Sequence, residues 1–69
     1  MTDTILLNEC IKNSGLKRIK IAETLGITPK TLRRKIENES DFNVKEVDAL
    51  CDLLEISTEK RSLIFFKSE

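Results

Sequence analysis

The stretch Ile21-Ala22-Glu23-Thr24-Leu25-Gly26-Ile27-Thr28-Pro29-Lys30-Thr31-Leu32-Arg33-Arg34-Lys35-Ile36 decides the reading of this chain. Two short helical segments meet at Gly26. Ile21, Ala22 and Leu25 form one apolar stripe; Leu32 and Ile36, four apart, form a second. The small side chain of Ala22, four positions before Gly26, lets the two helices approach closely, and Gly26 supplies the positive φ that a tight interhelical turn needs. Thr28 is a good N-cap, and Pro29 suits the first helical position, where its missing N–H costs nothing. Ile27 and Leu32 are then placed to plug the wedge between the helices. This is the sequence grammar of a helix-turn-helix, over about residues 17–37.

Working outward, turn and capping signals predict three further helices. The first runs from about Thr4 to Ser14, capped by Thr2 or Thr4, with Ile5, Leu6, Cys10 and Ile11 sharing a face and Gly15 stopping it. Leu16 and Ile19 supplement the stripe of the second helix, expected over Lys17 to Leu25. Residues 37–42 read as a polar, acidic loop ending in Phe42, which is placed to staple the next helix. Asn43 opens that fourth helix, with Glu46 three residues on completing a box-like cap, and Val44, Val47, Leu50, Cys51 and Leu54 repeat at three and four. Ser57 or Thr58 caps a last helix of about Glu59 to Phe66. No alternating strand pattern, repeat, Pro/Gly-rich linker or low-complexity tract interrupts this order. The class is all-α, a compact five-helix domain.

Size and composition bound what such a domain does. A chain of 69 residues hides only about 60% of its unfolded surface and holds a single core, so residues 1–69 are read as one domain. The longest apolar runs, Ile5 to Leu7 and Leu63 to Phe66, fall far short of the roughly 20 residues of a membrane span. The start Met1-Thr2-Asp3 has no basic segment followed by an apolar one, so no secretory signal is expected and the location implied is cytoplasmic. Without His or Tyr the chain lacks the usual general base, its carboxylates are spread over polar faces, and its two glycines form no phosphate loop; it does not read as an enzyme and implies no cofactor. Cys10 and Cys51 sit in no metal or redox spacing, and each falls in an apolar helical pattern. Spacing alone leaves a disulfide open, but an intracellular location favours free thiols in the core.

The formal net charge is zero, yet its distribution is lopsided. Residues 17–35 hold seven bases against Glu23 alone, a local charge of +6; residues 1–16 carry −1 and residues 36–69 carry −5. A dipole of this shape orients a neutral molecule toward a polyanion. A basic run on a helix is also what a solvated face looks like. Here, however, Arg33, Arg34 and Lys35 lie on the helix that a helix-turn-helix exposes, and the preceding helix is basic too.

On Ala22 and Gly26 at the turn, Ile27-Thr28 leading into the next helix, Thr31-Leu32 within it and Leu50 to Ile56 further on, the chain resembles the phage Cro/repressor-like, XRE-type helix-turn-helix family. Within it, Lys35-Ile36 and the pair Phe65-Phe66 resemble a small phage regulator subgroup. The resemblance implies a lambda-repressor-like fold whose third helix enters the major groove of double-stranded operator DNA. It places Pro29, Lys30 and Arg34 at base edges, the first against a thymine methyl and the other two at guanine O6 and N7. Arg33 and Lys35 become phosphate clamps, Thr28 with Thr31 sits at the helix start facing the backbone, and Lys17 and Arg18 stand where the family often binds phosphate through Gln. Asn38 falls at a further backbone-contact position, amid Glu37, Glu39 and Asp41, which repel phosphate.

The tail Leu63-Ile64-Phe65-Phe66, in a contact helix of about 58–67, covers about 300° of a helix, so its four large side chains do not all face inward. Either two or three pack under the fourth helix and the rest is exposed, or the surplus makes a protein–protein contact. Two functions follow. One is a phage-type transcriptional regulator that binds operator DNA as a homodimer joined through the tail. The other is a modulator that binds a phage repressor protein and alters its DNA occupancy, which a neutral chain with an exposed apolar tail also suits.

Overall fold

The computed structural model describes residues 1–66. Among them are five helices and no strand: α1 (Thr4–Ser14), α2 (Arg18–Leu25), α3 (Pro29–Ile36), α4 (Val44–Leu54) and α5 (Thr58–Phe65). The expected limit of the last helix near residue 67 lies outside the described residues. α2 packs on α3 and α4, while α1 touches α3, α4 and α5. The fully buried side chains Leu7, Ile21, Leu32, Ile36, Leu50 and Ile64 draw on all five helices, so one hydrophobic cluster joins them. No helix among the described residues is long and apolar enough to cross a membrane.

Capping explains where the elements begin. The Asp3 carboxylate accepts from Leu6 N–H, Thr28 from Thr31 N–H and Ser57 from Lys60 N–H, each closing one orphan donor. Asn43 and Glu46 form the reciprocal box expected of them. The cap of α1 is a correction: neither Thr2 nor Thr4 supplies it. Thr4 Oγ1 instead donates to the Ile36 carbonyl at 2.6 Å, and Thr2 is held by Asn38.

Three helices end in the same way. Gly26, Asn38 and Glu55 lie in the left-handed region, at φ 74°, 64° and 54°. The next residue in each case donates back five positions: Ile27 to Ala22, Glu39 to Arg34 and Ile56 to Cys51. At Gly26 a Cβ would meet nothing within 4 Å, so backbone angle and not space requires glycine there.

Several apolar positions turn outward, against expectation. Leu7, not Ile5, is in the core, and Ile5 is 75% exposed. The two lie 200° apart on a helix, so choosing the Leu7–Cys10–Ile11 stripe sends Ile5 to solvent. The same spacing separates buried Ile21 from exposed Ile19. Val44, the first residue of α4, is exposed, whereas Val47, Leu50 and Cys51 are buried. Phe42 is half-buried and meets Phe65 edge-on, with centroids 5.6 Å apart. Cys10 and Cys51 are buried free thiols, and burial pushes the Cys51 thiol up.

Candidate nucleic-acid interface

α2, the turn at Gly26 and α3 form a helix-turn-helix. Gly26 N–H donates to Glu23 O and Ile27 N–H to Ala22 O at 3.1 and 3.0 Å, which fixes the bend. Ala22 of α2 and Leu32 of α3 are fully buried in the shared core, and half-buried Ile27 at the turn packs against that core. At about 100° per residue, Leu32 and Ile36 point one way and Lys30 and Arg34 the opposite way. Pro29, Lys30, Arg33 and Arg34 are exposed, whereas Thr31 and Lys35 are half-buried. The helix therefore presents a cationic ridge directly across from its core seam.

The cations of this region are not equivalent. Lys17, Lys30 and Arg34 have no ion pair with any described residue. Arg18 Nη2 donates to Asn8 Oδ1 at 2.6 Å, which lays the guanidinium against α1 with its charge intact. Lys20 stands 3.6 Å from Glu23, both exposed, a contact of little energetic weight. Arg33 is 3.2 Å from Glu37 and 4.0 Å from Glu39, in a solvated cluster about half exposed.

Lys35 differs from the reading as a phosphate clamp. Its ammonium donates to Glu46 Oε1 at 2.6 Å, and the two side chains are only 14% and 10% exposed. Burial pushes the Glu46 carboxyl up, but the Lys35 bond, the Asn43 N–H and the Lys35 charge together outweigh it and hold it below its ordinary value. Asn38 is also engaged elsewhere: Oδ1 accepts from Thr2 N–H, while Nδ2 donates to Thr2 O and Thr4 Oγ1. Thr28 Oγ1 accepts from Thr31 N–H and donates to Thr31 Oγ1, so that hydroxyl is taken up by the cap.

The tail residues divide. Ile64 is fully buried and Phe65 nearly so, which corrects their assignment as contact residues: α5 uses them to seal the core, with Asp3 N–H donating to Ile64 O at 2.7 Å. Leu63 and Phe66, three apart on one side of the helix end, are 56% and 60% exposed. Asn8 and Glu46 are partners that sequence reasoning did not reach. Glu37, one helical turn beyond Arg33, carried the i, i+4 signal that announces such a pair.

The helix-turn-helix, the cationic ridge on α3 and a family match together place the chain among DNA-binding transcription regulators. Residues 2–38, more than half of the chain, match the family described as bacterial regulatory protein, Fis family, and the chain belongs to that family. The match spans α1 to the end of α3, the segment that holds the ridge. Comparison with curated proteins and with solved structures gives no match.

Proposed function

We propose that the chain is a phage-type regulator that binds double-stranded operator DNA, in the manner of the Cro/repressor proteins it resembles, and blocks transcription sterically. One observation carries this reading: Lys30 and Arg34 project from α3 opposite its buried seam, without a carboxylate partner among the described residues. With α3 in the major groove, both donate to guanine O6 and N7, and Pro29 meets a thymine methyl. Lys17 and Arg18 at the start of α2 take backbone phosphates, with Thr28 and Thr31 close to the backbone at the start of α3. Arg33 joins them by exchanging its solvated carboxylates for phosphate. One domain makes few base contacts, so two half-sites about 34 Å apart and a homodimer are part of the proposal. Exposed Leu63 and Phe66 are its candidate seam. The activity is binding, not catalysis, and its place is the cytoplasm.

A second reading is favoured by the pairing of Arg33 and Lys35 with acids of the same chain, which lowers the charge available to a solitary duplex binder. In it the ridge meets a phage repressor protein and modulates it. Titration with a nonspecific duplex at rising salt separates the two. Operator binding through Lys17, Arg18 and Arg33 predicts a log–log slope of roughly −3 per domain, at about −0.9 for each phosphate. No duplex binding at low salt, together with capture of a repressor, favours the modulator.

A further inference from the structure

Lys35 and Glu46 form the most enclosed ion pair among the described residues, and they join the last turn of α3 to the first turn of α4 across the acidic loop. Glu46 is itself anchored: the Oε1 that accepts from Lys35 also accepts from Asn43 N–H at 2.9 Å, and its backbone N–H donates to Asn43 Oδ1 at 2.8 Å. α3 has eight residues, and its buried seam is the single row Leu32–Ile36. Such a row holds a helix down and leaves its roll to the contacts on either flank, beyond the tie of Thr4 Oγ1 to the Ile36 carbonyl at its C-terminal end. On a wheel of about 100° per residue, Lys35 lies about 80° to one side of the seam and Arg33 about 80° to the other, while Arg34 points directly away and Lys30 about 140° from it. The Arg33 side is tied by solvated carboxylates and exchanges freely; the Lys35 side is tied by a pair removed from water, where breaking one partner leaves an uncompensated charge.

We infer that Lys35 is a positioning residue for DNA recognition: bound to Glu46, it sets the roll of α3 and thereby aims Lys30 and Arg34, and it does not itself touch the DNA backbone. The inference rests on the operator-binding reading above. It makes Glu46, on a helix outside the helix-turn-helix, a determinant of sequence preference.

The two roles for Lys35 predict opposite signs. Glu46→Gln keeps an oxygen for Asn43 N–H and removes the charge that holds Lys35. The probes are a duplex recovered by the wild-type chain from a randomised library and a scrambled duplex of equal length. Positioning predicts that Glu46→Gln, Lys35→Met and the double variant each weaken the recovered duplex by the same roughly tenfold factor. Binding to the scrambled duplex stays within about twofold, and the salt slope is unchanged. Tighter binding by Glu46→Gln to both duplexes, with a slope steeper by about 0.9, marks Lys35 as a phosphate contact and overturns the inference. An unchanged ratio of recovered to scrambled affinity overturns it as well. Acetylation of lysines in the wild-type chain supplies a readout that needs no variant to fold: the recovered duplex should protect Lys17 and Lys30 and leave the rate at Lys35 as in the free chain, and protection of Lys35 overturns the inference. If the wild-type chain recovers no duplex, the operator reading fails and the inference with it; if it binds but Glu46→Gln binds more tightly, only the inference fails.

Discussion

Asn38 holds Thr2 by both ends of its side-chain amide: Oδ1 accepts from Thr2 N–H at 2.8 Å, and Nδ2 donates to Thr2 O at 2.9 Å. The clasp joins residues 36 apart and ties the end of α3 to the strand of chain entering α1. Asn38 also occupies a left-handed position at φ 64°. Two substitutions separate these roles. Asn38→Gly keeps the backbone freedom and loses the clasp, at a cost of about 1 kcal/mol. Asn38→Ala adds the left-handed penalty of about 1 kcal/mol more. Thermal unfolding should show the alanine variant melting below the glycine variant by several degrees, at about 4–8 °C per kcal/mol for a domain of this size.

Glu55 ends α4 in the left-handed conformation at φ 54° with an exposed side chain. Glycine carries no Cβ penalty there, and no buried contact is lost. Glu55→Gly should raise stability by about 1 kcal/mol in denaturant titration, with an unchanged m-value.

The Glu46 carboxyl is held below its ordinary 4.5, so its contribution to stability is complete above that value and is lost as the pH falls through the lower folded value. Folding stability of the wild-type chain should therefore decline on acidification below about pH 4.5 more steeply than that of Glu46→Gln. The gap between the two, measured by denaturant titration at several pH values, should close as the carboxyl protonates.

On operator DNA, Arg34→Ala should cost roughly 1–3 kcal/mol and relax preference at one base pair, whereas Lys17→Ala should weaken all duplexes alike and flatten the salt slope. Glu37→Gln should act in the other direction by loosening Arg33, tightening nonspecific binding. Equilibrium titration of each variant against recovered and scrambled duplexes checks all three. Unchanged operator affinity in Arg34→Ala alongside a large loss in Lys17→Ala would remove Arg34 from the base-reading set.

Leu63→Ala with Phe66→Ala should lower self-association in sedimentation without lowering thermal stability by more than about 1 kcal/mol, since both side chains are more than half exposed. An unchanged sedimentation profile would place the dimer seam elsewhere. Phe65→Ala is the contrasting case: it removes a buried ring that Phe42 meets edge-on, and it should destabilise by about 3–5 kcal/mol.

What the residues determine by themselves is local. The Thr28-Pro29 start of α3, the Asn43–Glu46 box and the Gly26 turn depend on groups within about four positions of one another, where chain geometry leaves few alternatives, and each is found as the spacing predicts. The buried pair Leu32–Ile36 and the opposed pair Lys30–Arg34 follow from helical period alone. Tertiary structure decided the rest. Ile5 and Leu7, or Ile19 and Ile21, are equally apolar, and only the packing of five helices on one core selects which stripe is buried. It also decided which cations remain available: Lys35 is neutralised by a carboxylate eleven residues away, and Asn38 is taken up by a backbone thirty-six residues away. No local pattern encodes those distances, because the fold alone brings the partners together.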